Sequence, residues 1–257
     1  VVHHHLAIVD GQLHHTTTIL DDRARSFDDG ESLRLRLDGD VGAASFGELA
    51  ERHEVTRVLH RQHRGLRVLP VPWLFDVAAS VILQQRVRFV DAVRSFTAIA
   101  KRFGPTTPLG RCFPHPRVIA AVAADELMPL GVDGQRARAL KGVAVEALHS
   151  DLLHPLPADN VETARERRKA RLARVPGVGP WTTAMIMGFG FGDSDAVVTG
   201  DLHLPHLVTR VLGGDDDGTD ARMVALLAPF VGHRFRVTRL LWAARLGKRP
   251  TIHRRSR

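Results

Sequence analysis

The stretch Val175-Pro176-Gly177-Val178-Gly179-Pro180 could hold an anion without any charged side chain. Pro180 suits the first position of a helix, where its missing N–H would have had no partner. Two glycines around one apolar residue let the chain turn sharply while Val178 tucks between the flanking helices. The amides of Gly177, Gly179 and the next helical turn are then left open, and the dipole behind them favours a phosphate whatever the base sequence. Pro-Gly-x-Gly alone fits an ordinary corner between two helices equally well. Beyond the next helix, Gly200-Asp201-Leu202-His203-Leu204-Pro205 sets a carboxylate after the apolar run Ala196-Val197-Val198 and ahead of another helix. Asp201, His203 and His206 form an Asp-x-His-x-x-His pattern that could begin a metal site, but Pro205 interrupts it and other ligands would have to come from elsewhere. The expectation is no metal and no cofactor.

The order and spacing of these features resemble the helix-hairpin-helix (HhH-GPD) DNA glycosylase superfamily. The resemblance is closest to its 3-methyladenine DNA glycosylase II (AlkA-like) branch, in which Trp-Thr follows the hairpin as Trp181-Thr182 does here. It implies a mainly α-helical fold with a small N-terminal antiparallel β-sheet (α+β overall), with two helical lobes and an active-site cleft between them. It also implies roles: Gly177, Val178, Gly179 and Thr182 on the DNA backbone, Asp201 as the catalytic carboxylate facing the sugar, and Trp181, Trp242 and Met185 around the base. Met185 stands where some members carry a tyrosine. Gln84-Gln85-Arg86 is similar to a glutamine-containing segment beside which members carry an apolar wedge that fills the hole left by the flipped base. Here Gln85 and Arg86 are the candidate wedge, since an arginine can stack on and pair with an orphaned base. Phe113-Pro114-His115-Pro116, Leu130-Gly131-Val132 and Arg136-Ala137 resemble the same branch's middle region, and the resemblance covers about residues 65 to 247.

The implied chemistry follows from residue types. A damaged base inside a duplex is out of reach, so the nucleotide must be extruded and its base held by stacking. A base alkylated on a ring nitrogen is cationic, and aromatic faces attract it by about 0.5 to 2 kcal/mol. Its departure leaves an oxocarbenium-like sugar, which a carboxylate stabilises or towards which it directs water. Members that also cut the backbone carry a Schiff-base lysine in the second hairpin helix; Trp181 occupies that place. The expected activity is therefore that of a monofunctional DNA glycosylase of base excision repair. Such an enzyme hydrolytically releases alkylated bases of the 3-methyladenine type from damaged double-stranded DNA and leaves an abasic site. A catalytically silent helix-hairpin-helix DNA-binding protein, or a glycosylase for a different lesion, are the alternatives.

The elements that must position these groups are mostly helical. Pro72 opens a helix whose apolar positions Leu74, Val77, Val81, Ile82, Phe89, Val93, Phe96 and Ala100 keep to steps of three or four until Phe103-Gly104-Pro105, so the pattern predicts one long helix with most of that stripe in the core. Further helices are expected from Pro116, over Gln135 to Leu148, over 161 to 174, from Pro205 to Leu212, after Thr219 as N-cap, and up to about Leu246. Asp193 and Asp195 are expected to cap or support a turn. Before Phe46 the period is two: Val2, His4, Leu6 and Ile8 lead to Asp10-Gly11 and then Leu13 to Leu20, and Leu33, Leu35 and Leu37 alternate with arginines. The expected division is a sheet domain over 1–60 and a helical glycosylase region with a basic tail over 61–257. His3-His4-His5 and His14-His15 cannot all converge on a metal, because adjacent strand residues face opposite ways.

The 257 residues, 44% hydrophobic, are enough to bury one large core or two smaller ones. Thirty-six Lys and Arg against 28 Asp and Glu give a formal charge of +8, which suits a polyanionic partner. The run Arg165 to Arg171, with five basic residues and one Glu next to the hairpin, is expected near DNA. One cysteine, Cys112, excludes an intramolecular disulfide within this chain, and a reducing, cytoplasmic and nucleoid-associated setting is expected, with a monomer as the working form. No run is long and apolar enough for a membrane span and no signal-peptide pattern opens the sequence, so no membrane partner is expected. The chain opens on Val1 rather than Met, which leaves room for residues ahead of the first strand.

Overall fold

A computed structural model describes residues 2–9, 12–19, 40, 42–71, 73–107, 110–149 and 161–247. The strand expected over Leu33 to Leu37, Pro72, the Pro-rich connection at 155–157 and the tail beyond 247 lie outside the described residues. The chain divides into two units that alternate along the sequence: Val1–Asp40 with Leu69–Gly192, and Val41–Val68 with Asp193–Arg257. Residue 60, the boundary expected between the sheet and helical domains, falls inside the helix Glu54–Gln62.

The first unit begins with β1 (Val2–Val9) and β2 (Gln12–Ile19), antiparallel, with Val2 opposite Ile19 and Val9 opposite Gln12. That register leaves two residues between the strands, the length that Asp-Gly favours in a hairpin. The helices follow as α3 (Leu74–Leu83), α4 (Phe89–Phe103), α5 (Pro116–Ala121), α6 (Ala124–Leu127), α7 (Gly134–His149), α8 (Val161–Leu172) and α9 (Pro180–Gly190). Two short strands, β3 (Thr106–Thr107) and β4 (Gly110–Arg111), pair between α4 and α5. Helix α3 is the centre of this unit. It buries Leu74, Phe75, Ala78, Ala79, Val81, Ile82 and Leu83, and it packs on α4, α7 and α9. A helix apolar on almost every side must be enclosed, and its neighbours meet that need.

The single helix expected from Leu74 to Phe103 is two helices, α3 and α4, joined by a turn. Gln84 folds its side chain back on Ser80, donating to Ser80 O (3.1 Å) and Oγ (3.3 Å), and Arg86 takes a left-handed φ of 55°. Periodicity misses this break because the apolar positions resume almost in phase beyond it. The consequence is large for the apolar stripe: Phe89 is 69% exposed, and Val90 and Val93 are exposed as well, so the start of α4 is not core.

The second unit holds α1 (Ala43–Glu51), α2 (Glu54–Gln62), α10 (Leu204–Val208), α11 (Asp220–Leu227) and α12 (Arg234–Gly247). Its core gathers Phe46, Leu59, Leu204, Val208, Met223, Leu227, Phe235, Val237, Leu240 and Leu241. Helix α10 runs on as a π-type turn over Thr209–Gly213, and Thr219 caps α11 as expected, its hydroxyl accepting from Arg222 N at 3.2 Å. Among the described residues no helix is long and apolar enough to cross a membrane.

Candidate nucleic-acid interface and catalytic carboxylate

Helices α8 and α9 flank the glycine hairpin of the first unit. Val175 and Val178 are buried at 6% each and anchor it, and the Val178 amide donates to Val175 O at 3.0 Å. Gly177 sits at φ +86°, a backbone conformation that favours glycine, and an added Cβ would also crowd the Ala139 Cβ at 3.1 Å. Gly179 is different. It is the N-cap of α9 in extended conformation, with open space where a Cβ would stand and no side chain capping the helix. Among the described residues no protein acceptor meets the amides of Gly177 or Gly179. With Pro180 at the first helical position, exposed amides and a dipole converge on solvent, which is the geometry of an anion site.

Gln85 fixes this hairpin from the α3–α4 turn. Its carboxamide Nε2 donates to Gly177 O at 2.9 Å and to Thr182 Oγ1 at 2.8 Å. Two expectations change in detail. The hydroxyl of Thr182 does not face solvent: the residue is 2% exposed and its oxygen serves Gln85, so any contact of Thr182 with a ligand would be through its backbone amide. Gln85 in turn is a strut between the two loops, while Arg86 is exposed on the left-handed turn. Sequence signals for the strut were present in Gln84-Gln85-Arg86, but the partners Gly177 and Thr182 lie far along the chain and could not be named from it.

The basic run on α8 is only partly a solvent face. Arg168 is 5% exposed with its guanidinium over the Phe191 ring at 5.3 Å, Lys169 meets Glu166 at 2.9 Å, and Arg171 meets Glu146 at 3.0 Å. Arg167 and Arg174 are exposed. On α9, Trp181 is half-buried and Met185, one turn later on the same face, is 7% exposed.

In the second unit Asp201 is half-buried just before α10. Its Oδ1 accepts from His203 N and from Leu204 N, both at 2.8 Å, so the carboxylate satisfies the start of α10 and is oriented by it. Gly200, at φ +77°, donates its amide to Asp220 Oδ2 at 2.8 Å and holds the preceding turn. Asp195 supports the same region, as its sequence position suggests. Its Oδ1 accepts from Gly232 N (2.7 Å), Arg234 N (3.3 Å) and Arg234 Nε (2.7 Å). Burial works against the Asp195 charge, but the Arg234 guanidinium and these amides outweigh it and hold the carboxyl below its ordinary pKa. Asp193 braces the turn by accepting from Asp195 N at 3.0 Å. Trp242 lies on α12, half-buried, with its ring edge-on to Phe235 at 6.2 Å. The candidate residues thus fall into two sets, the hairpin with Gln85, Trp181 and Met185 in one unit and Asp201 with Trp242 in the other.

Residues 79–230 match the model of the HhH-GPD superfamily base excision DNA repair protein family, which is more than half of the chain. The chain is 31% identical over 140 residues to DNA-3-methyladenine glycosylase 2 of Escherichia coli (strain K12), across 53% of this chain and 48% of that protein. It therefore spans about half the length of the curated relative that it matches. Among solved structures it is similar to a 3-methyladenine DNA glycosylase from Archaeoglobus fulgidus, with a TM-score of 0.72, 18% identity and coverage of 96% of this chain and 88% of that one. It is also similar to the Clostridium acetobutylicum 8-oxoguanine glycosylase/lyase in its apo form (TM-score 0.66, 14% identity, 93% and 85% coverage). A third similar structure is the Schizosaccharomyces pombe 3-methyladenine DNA glycosylase in complex with abasic DNA (TM-score 0.59, 17% identity, 76% and 92% coverage). At these identities the structural likeness establishes the fold: mainly helical, with a small antiparallel sheet.

Proposed function

Since the chain belongs to the HhH-GPD superfamily of base excision DNA repair proteins, we propose that it is a monofunctional DNA glycosylase that releases alkylated bases of the 3-methyladenine type from duplex DNA and leaves an abasic site. The observation that carries this reading is Asp201, a carboxylate held by two backbone bonds of 2.8 Å at the start of a helix, following a hairpin whose amides point to solvent. The hairpin amides take a backbone phosphate without reading the bases. Trp181, Met185 and Trp242 receive the extruded base, where aromatic faces favour a cationic ring over a neutral one. Arg86 enters the space that the base vacates. As the glycosidic bond breaks, Asp201 offsets the positive charge that grows on the sugar and directs water to it. Trp181 stands where a Schiff-base lysine would be needed, so the backbone stays uncut. The 31% identity to the Escherichia coli 3-methyladenine enzyme supports the choice of lesion. The protein acts as a monomer in a reducing cytoplasm, on nucleoid DNA.

The test is release of methylated bases from alkylated duplex, followed by alkali to reveal abasic sites. Free 3-methyladenine with strand breaks only after alkali is the expected result. Binding without release would leave a DNA-binding protein, and breaks without alkali would overturn the monofunctional assignment.

A further inference from the structure

Asp201 is held from both sides of its turn. On the helix side its Oδ1 takes the amides of His203 and Leu204, and on the other side the amide of Gly200 goes to Asp220 Oδ2 at 2.8 Å. Asp220 is the first residue of α11, the helix that Thr219 caps. The loop that leads to it is braced by its own acids. Asp215 meets Arg222 at 2.7 Å and accepts from Asp217 N at 3.1 Å, Asp217 accepts from Thr219 N at 3.3 Å, and Asp216 meets Arg210 at 3.1 Å. Gly218 lies against the ring of His206 on α10, which a Cβ at that position would overlap. Asp220 therefore reaches the Gly200 turn from a frame tied to α10 as well as to α11. Its other oxygen, Oδ1, is shut off from water and has no donor among the described residues.

We propose that Asp220 is a positioning residue for Asp201: by accepting the Gly200 amide it fixes the left-handed turn from which the Asp201 carboxylate is aimed. The inference rests on the reading of Asp201 as the catalytic carboxylate. A glycine populates φ of either sign with similar ease, so nothing in Gly200 itself keeps it at +77°. The two bonds to α10 set the carboxylate against that helix but do not hold the peptide that enters it. Asp220 supplies that hold. With one oxygen on Gly200 and the other enclosed, it acts through Asp201 and not on the sugar. A reacting group displaced by about 1 Å loses about a hundredfold in rate, so a bond that fixes this turn bears on the reaction without touching substrate.

Asp220→Ala, in which Thr219 still caps α11, should slow single-turnover release of 3-methyladenine by about ten- to a hundredfold while duplex affinity changes by less than about twofold. Hydrogen exchange of the His203 and Leu204 amides, followed by NMR, should quicken in the same variant, with exchange in α12 unchanged. Asp220→Asn keeps an oxygen for the Gly200 amide and should recover most of the rate. Asp220→Glu keeps the charge at the start of α11 but carries the oxygen past Gly200, so it should be slowed as Asp220→Ala is, and it decides the matter if Asp220→Ala does not fold. A merely structural role would lower stability without producing this order of rates. The assignment is overturned if His203 and Leu204 exchange as before in Asp220→Ala, if Asp220→Ala or Asp220→Glu releases base at the original rate, or if Asp220→Asn is as slow as they are. If the original protein releases no base, the glycosylase reading fails instead, and exchange at His203 and Leu204 still decides whether Asp220 positions Asp201.

Discussion

Helix α9 begins at Gly179 and Pro180 with no side chain over its first amides, whereas α10 begins beneath the Asp201 carboxylate, which takes two of them at 2.8 Å each. The second arrangement recurs: Asp133 accepts from Gln135 N (2.9 Å) and Arg136 N (3.0 Å) at the start of α7, and Asp195 does the same for α12. All four sites have the same electrostatic need, since the N-terminal turn of a helix presents unpaired donors and a positive end. Three meet it with an acid of the chain itself. The hairpin leaves it unmet, at a place where Gln85 holds the backbone, which is what the proposed phosphate contact requires. What separates a binding site from a structural cap here is one missing side chain. In the proposed function Asp201 would serve twice, because the bonds that make it a cap also set the direction of its carboxylate.

The comparison is broken most severely at Asp201. Asp201→Asn retains an acceptor for the amides of His203 and Leu204 but removes the charge, so base release under single-turnover conditions should fall by about two to three orders of magnitude. Thermal stability and duplex affinity should stay close to those of the original protein. Release at the original rate from a folded variant would reduce Asp201 to a cap.

A smaller effect is expected from turning the hairpin into a capped helix. Gly179→Asp places a carboxylate where the structure has open space, so it should raise stability by a few tenths of a kcal/mol. Its charge would occupy the amides and repel phosphate, weakening duplex binding about tenfold, or about 1.4 kcal/mol, on every sequence, as titrated by fluorescence anisotropy. Gly179→Ala, which adds bulk without charge, separates the two contributions. Unchanged affinity in the aspartate variant would show that the hairpin is only a corner between helices.

Gln85→Ala sharpens the point about rigidity. It deletes the bonds to Gly177 O and Thr182 Oγ1 and should cost about 1 to 2 kcal/mol by urea denaturation. Affinity should drop a few-fold, because amides that are no longer fixed must be ordered on binding; an affinity loss without any stability loss would instead mean that Gln85 contacts DNA directly.

The smallest effect distinguishes the classes by pH. The backbone bond from Arg136 is the main cause that holds Asp133 below its ordinary pKa, and Asp195 is held below it against its own burial by Arg234. A depressed folded pKa contributes stability that is fully present above the unfolded value, near 4, and is lost as pH falls through the folded one. The contribution of these two carboxyls should therefore be lost as pH falls below about 4, and Asp195→Asn should flatten the decline of the denaturation midpoint in that window. An unchanged decline below about 4 in Asp195→Asn would assign the acid sensitivity to other groups.

The sequence by itself determined a good deal. The hairpin, the Trp-Thr that follows it, most of the helices and the pairing of β1 with β2 are local patterns, each legible because neighbouring residues alone create the constraint. Pro180 as first helical residue and Thr219 as a cap are of this kind. So is family membership, which depends on the order of motifs along the chain. Tertiary structure decided the rest. The break between α3 and α4 is invisible to periodicity, and it turned Phe89 from a core position into one that is 69% exposed. Thr182 and Arg168 were polar residues beside a phosphate site in the sequence, and both are buried, one accepting from Gln85 and the other lying over Phe191. Arg236, far along the chain from His60, comes near it only because α2 and α12 pack together. The physical reason is the same in each case: a residue's conformation is set by its neighbours in sequence, but whether its polar atoms meet water or a partner is set by chain that arrives from far away.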